Sequence, residues 1–125
     1  MPSMSERDVR LYIEDMLEFS ERAMRYAKDH NIDGLLRDTM RYDAILRNLE
    51  LIGEAATHVP AAERALAPSI PWREIIGTRN RVAHGYLGIS PSTVWDILTV
   101  EMPALSRSLA ELLSRIPAAQ GPAAV

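Results

Sequence analysis

Apolar residues recur at intervals of three and four along most of the chain, the mark of helices that bury one face. Val9, Tyr12, Ile13, Met16, Leu17, Ala23, Met24 and Ala27 form the first stripe, with one lapse at Ser20 and charged residues between. Ser5-Glu6-Arg7-Asp8 has the form of an N-cap followed by acidic residues in the first turn, which suits orphan amides and the macrodipole. A first amphipathic helix is therefore predicted to about residue 29. His30-Asn31-Ile32-Asp33-Gly34 breaks it, and Asp33 is placed to cap the next helix. From Leu35 to Val59 no proline intervenes. Ile45, Leu49, Ile52, Ala56 and Val59 make the main stripe there, and Leu36, Met40 and Ala44 a second. A helix apolar on two sides is usually the central one of a bundle. Gly53 within it costs about 1 kcal/mol against alanine, which close approach of another helix would explain.

Pro60, Pro68 and Pro71 bracket a short helical piece around residues 61–67. Trp72 starts a third long stripe, which Gly85 and Gly88 end. Ser90-Pro91 reads as an N-cap with proline at the first helical position. Val94, Trp95, Leu98, Met102, Leu105, Leu109, Leu112, Leu113 and Ile116 carry a last helix, with a kink expected at Pro103. No segment has a convincing two-residue period. The pattern predicts an all-α domain over residues 1–116, an antiparallel bundle of four main helices plus a short connecting one. Residues 117–125 carry no pattern and read as a flexible tail.

Composition narrows the function by exclusion. The chain has 125 residues, 47% hydrophobic and 25% charged, within the ordinary globular range. It has no cysteine, so a disulfide framework, a thiolate zinc site and a cysteine nucleophile are all excluded. Its three histidines, His30, His58 and His84, are too scattered to suggest a metal site. No apolar run approaches the roughly eighteen residues that span a bilayer, and the N-terminus lacks a signal peptide's apolar stretch, so a cytoplasmic protein is expected. The net charge of −3 gives no global field for a polyanion, and with 6% aromatics a base-stacking platform is not expected. Any nucleic-acid contact has to come from a local basic cluster.

One such cluster exists. Trp72, Ile75, Ile76, Arg79, Val82, Ala83 and Tyr86 fall on one helical face, and Arg79 stands in the middle of that apolar row. An arginine there needs a partner, because an unpaired buried charge costs several kcal/mol. It can snorkel, pair with a carboxylate such as Glu50 or Glu54, or be kept in a cleft for an anion. His84, in the same basic run Arg79-Asn80-Arg81-Val82-Ala83-His84, can be a helix-end residue favoured by the dipole or a proton-transfer group.

Arg79-Asn80-Arg81-Val82-Ala83-His84-Gly85-Tyr86 fits arginine, four residues, histidine, any residue, tyrosine. That octet resembles the signature of the HEPN superfamily, in particular HepT-type toxins of prokaryotic toxin–antitoxin pairs. Three further blocks are similar to the same family: Asn48 to Ala55 on the central helix, Ile70 to Gly77 leading into the signature, and Val94 to Leu98 followed by Met102 to Leu105. Residues 6–113 can be read against it, and four ordered blocks make the resemblance specific.

The resemblance implies a metal-independent endoribonuclease that needs no cofactor, and the residue types agree with that chemistry. RNA supplies its own nucleophile, the 2′-hydroxyl. A histidine can move protons near neutral pH, and an arginine is a permanent planar fork for phosphate oxygens. Arg79 and His84 are thus the expected catalytic pair, with Asn80 in support. Five residues apart, the two lie about 140° round a continuous helix, and each chain offers one such histidine. Two chains meeting along the segment Trp72 to His84 ease both difficulties, and the family likewise implies a homodimer. It also implies a MntA-type nucleotidyltransferase antitoxin that transfers AMP to the motif tyrosine, here Tyr86, where added phosphate charge would repel RNA. The alternatives are that Tyr86 is an ordinary core residue, and the whole chain a non-catalytic nucleotide-binding subunit of a nucleotidyltransferase complex.

Overall fold

The computed structural model describes residues 6–84 and 88–117. Ser5, Gly85, Tyr86 and the residues after 117, on which the first cap, part of the signature and the tail are expected, lie outside that range. All regular structure among the described residues is helical.

The first stripe folds as α1, Glu6–Ala27, and buries Val9, Ile13, Met16 and Ala23. Ser20, the lapse in the stripe, is fully buried and returns its hydroxyl to the carbonyl of Met16 at 2.7 Å, so its polarity is satisfied inside the helix. Asp29, at φ 65°, turns the chain out of α1 in the left-handed conformation that aspartate tolerates.

The long helix expected from Leu35 is divided. A six-residue helix, α2 (Ile32–Arg37), is capped by Asn31, whose side chain accepts the Gly34 amide at 2.7 Å. Asp33, expected to be the cap, sits inside its first turn. Asp38 then closes α2 with its backbone amide and opens α3 (Thr39–Thr57) with its side chain, accepting from Arg41 N at 3.1 Å and Arg41 Nε at 3.0 Å. A carboxylate that bonds the amide three residues on competes with a continuing helix, and here it wins. Those hydrogen bonds hold the Asp38 carboxyl below its ordinary range. The cap's contribution is therefore full above the unfolded carboxylate value and is lost as pH falls through the lowered one.

The central position expected for α3 holds: it packs on α1 along one flank and on α5 (Trp72–Val82) along the other. Tyr12 stacks on His58 with ring centroids 4.7 Å apart, and Arg41 reaches the Tyr26 carbonyl at 3.0 Å, so α1 and α3 run antiparallel. Between α3 and α5 the one-turn helix α4 (Ala61–Arg64) sets where α5 begins. Arg64 donates to the Val59 and Ala56 carbonyls at the end of α3 and lies over the Trp72 ring, while Trp72 donates to the Ala67 carbonyl.

Ser90 caps α6 (Pro91–Asp96), accepting from Thr93 N, with proline in the first turn as expected. The disturbance expected at Pro103 takes the form of a π-helical turn, Ile97–Glu101, from which α7 (Met102–Arg115) continues. Proline has no N–H and crowds the carbonyl four residues back, so the ladder widens just before it. Arg10 donates to the Leu113 and Ile116 carbonyls, tying the end of α7 to the start of α1. No helix among the described residues is long and apolar enough to cross a membrane.

Candidate active site

The site is built where α5 crosses α3. A Cβ at Gly53 would stand 2.3 Å from Arg79 Cβ and 3.0 Å from the Ile75 carbonyl oxygen. Only a residue without a side chain lets the two helices come this close, which is the reason for a glycine in mid-helix. The aliphatic stem of Arg79 fills the space so released.

The head of Arg79 then emerges at the edge of α3. Its Nη2 meets Glu54 Oε2 at 2.7 Å, an ion pair whose two side chains are 36% and 47% exposed. Of the two carboxylates weighed from the sequence, Glu54 is the partner; Glu50 pairs with Arg47 at 3.0 Å instead. The arginine is thus a snorkelling, paired residue with its guanidinium at the surface, not an arginine locked in the core. The other oxygen of Glu54 faces His58 Nε2 at 3.6 Å, so a row of polar groups crosses from α1 to α5: Tyr12, His58, Glu54, Arg79.

The helix does not carry His84 onward in register. It ends at Val82, and Ala83 and His84 form a turn in which the His84 amide bonds the Arg81 carbonyl at 3.2 Å. The 140° separation of a continuous helix therefore stops applying two residues short of the histidine. The returning chain presses against this turn at Gly88: a Cβ there would lie 1.8 Å from the Arg81 carbonyl oxygen, and Arg81 Nε donates to the Gly88 carbonyl at 3.2 Å. His84 and Asn80 are both exposed, and neither is hydrogen-bonded through its side chain among the described residues. Arg79 and Arg81 occupy the last turn of α5, where the helix dipole favours cations.

The result is a local basic patch on an acidic chain. A planar donor is fixed by Glu54 and Gly53, and a solvent-facing imidazole stands at the end of the same helix. Such a patch can take a phosphate diester at the guanidinium and exchange protons at the imidazole.

The model of the family described as ribonuclease HepT-like matches residues 16–112, most of the chain and the whole of the site from Gly53 to His84. The chain belongs to the HepT-like ribonuclease family. Among similar proteins of that kind is one named "Putative RNase MJ1380" from Methanocaldococcus jannaschii, 32% identical over 106 residues, covering 85% of this chain and 97% of the relative. "Probable ribonuclease HepT" of Thermococcus cleftensis is 30% identical over 107 residues, covering 86% and 97%. "Putative RNase TTE0752" of Caldanaerobacter subterraneus subsp. tengcongensis is 30% identical over 106 residues, covering 85% and 95%. No solved structure matches the chain. Membership of this family makes the chain a ribonuclease.

Glu54 is the residue of this site that carries a role the sequence alone did not settle. In Glu54→Ala the guanidinium loses its anchor, while the exposed pair contributes about 1 kcal/mol or less to stability. The expected outcome is a fold that melts nearly as before and cleaves RNA about tenfold more slowly, equivalent to about 1.4 kcal/mol at the transition state. Glu54→Gln, which keeps an acceptor, should recover part of that loss. Steady-state cleavage rates beside thermal melts check it.

Proposed function

We propose that this protein is the toxin of a toxin–antitoxin pair, an endoribonuclease whose site is completed by a second copy. The observation that carries the reading is the fixed Arg79 guanidinium, held at the surface by Glu54, with an exposed His84 in the turn that ends the same helix. In the proposed reaction the RNA 2′-hydroxyl attacks the adjacent phosphorus. The O2′–P bond forms and the P–O5′ bond breaks, giving a 2′,3′-cyclic phosphate and a 5′-hydroxyl. One His84 takes the 2′-hydroxyl proton, and His84 of the second copy gives a proton to the leaving O5′. Arg79 neutralises charge on the non-bridging oxygens, and Asn80 orients the bound phosphate by hydrogen bonding.

Two chains meeting along α5 supply the pair of histidines that one chain lacks. Light scattering at micromolar concentration is expected to give a dimer; a monomer that still cleaves RNA would remove the composite cleft from this reading.

Control of the enzyme is assigned to Tyr86. A nucleotidyltransferase antitoxin, given ATP, transfers AMP to its hydroxyl, placing negative charge two residues from His84 where it repels the substrate. Co-expression with the cognate transferase followed by intact-mass measurement should show AMP adducts on wild type and none on Tyr86→Phe. Adducts on Tyr12, Tyr26 or Tyr42 would refute the assignment.

A further inference from the structure

On the side of α5 away from Asn80 lies a groove of about 220 Å³ that the fold leaves unfilled. Helix α5 packs on α3 and α7 packs on α1, and between α5 and α7 the surface of α3 is the floor. Leu49 and Ile52 form that floor, Ile75 lines the α5 wall, and Met102 and Leu105 line the α7 wall. Two carboxylates stand among these apolar groups, Glu74 on α5 and Glu101 at the end of the π-helical turn. Neither has an ion-pair partner among the described residues, and no basic residue lines the groove.

We propose that this groove docks an apolar, cationic segment of another protein, an amphipathic helix with aliphatic anchors flanked by lysine or arginine. Three physical arguments select that occupant. The exposed carboxylates of Glu74 and Glu101 put negative charge without an ion-pair partner at the groove's open edge, so a strand of nucleic acid is repelled and a cationic flank is drawn in. The volume falls below the several hundred Å³ that enclose most small ligands, while an open apolar trough between helices suits the face of one more helix. A second copy of this chain is disfavoured, because a two-fold contact centred here would set Glu74 and Glu101 of one protomer against the same carboxylates of the other. Thr78 on the groove wall and Asn80 lie about 160° apart round α5, so a dimer that meets on the Asn80 face of that helix leaves the groove open.

The test uses the full chain and a synthetic eighteen-residue helical peptide with a leucine stripe flanked by arginine. The same peptide with glutamate for arginine is its counterpart. The arginine peptide is expected to shift the methyl resonances of Ile52, Ile75 and Leu105, and to bind at least tenfold tighter than the glutamate peptide. The double variant Glu74→Lys/Glu101→Lys should invert that preference without altering the melting temperature by more than a few degrees. Equal affinity for the two peptides, shifts confined to other surfaces, an unchanged preference in the double variant, or no binding at all would overturn the proposal. Ala104→Trp fills the groove from its exposed edge. It should abolish peptide binding and leave the mass in solution unchanged, whereas loss of the dimer would make the groove a self-contact and equally overturn it. No RNA enters any arm, so the outcome is independent of the ribonuclease reading.

Discussion

His84→Ala should lower RNA cleavage by about two to four orders of magnitude, the range expected when a positioned proton-transfer group is removed. Its fold should survive. His84 is exposed in a turn and makes no side-chain hydrogen bond among the described residues, so the structural loss is limited to a dipole interaction of about 0.3–1 kcal/mol. Arg79→Lys is the sharper companion. Lysine keeps the charge and the aliphatic stem over Gly53 but loses the planar fork, so it should fold and dimerise normally while activity falls steeply. Cleavage rates of the two variants beside their circular-dichroism spectra and melting curves check both halves. If His84→Ala cleaves as wild type does, the histidine is only a helix-end residue.

The second large effect concerns the crossing of α3 and α5. Gly53→Ala and Gly77→Ala are the same exchange inside two helices, and helix propensity alone would make each more stable by about 1 kcal/mol. Gly77 has nothing within 4 Å of a new Cβ and should realise that gain. At Gly53 the new methyl would meet Arg79 Cβ at 2.3 Å and a backbone oxygen at 3.0 Å, so α5 has to move off α3. Overpacking of this kind costs about 1–3 kcal/mol. Gly53→Ala should therefore melt below wild type, and its RNA cleavage should fall further than the stability loss explains, because Arg79 moves with the helix. Denaturant unfolding of the two variants in parallel, with cleavage assayed on each, separates the contact from the propensity.

Periodicity locates the features that depend on local chemistry. The stripe of α1, the Ser90-Pro91 start of α6 and the need for a helix to pass close to Gly53 are all present in the order of residues, and so is the need of Arg79 for a partner, with Glu54 among those weighed. The misses have physical reasons. Asp38 sits in an unbroken apolar pattern, and its side-chain bond to the Arg41 amide ends one helix and starts the next without proline or glycine to announce it. Helix α5 ends at Val82, three residues before the first glycine, so a helix read as running to that glycine gives His84 a register it does not keep. The α5–α7 groove depends on how far apart two helices lie on a third, and no one-dimensional pattern encodes that distance. The choice of Glu54 over Glu50 is likewise a matter of packing, since both fall near the same helical edge.

In the proposed reaction Arg79 and His84 cleave RNA through its own 2′-hydroxyl. The most direct test is end-group analysis of an RNA oligonucleotide incubated with purified protein in excess EDTA, beside a matched oligonucleotide carrying 2′-deoxy at every position. Fragments ending in 2′,3′-cyclic phosphate and beginning with 5′-hydroxyl, formed from the RNA alone and absent with Arg79→Ala and His84→Ala, are the predicted result. Cleavage of the 2′-deoxy strand, 5′-phosphate ends, or cleavage undiminished in both variants would contradict it.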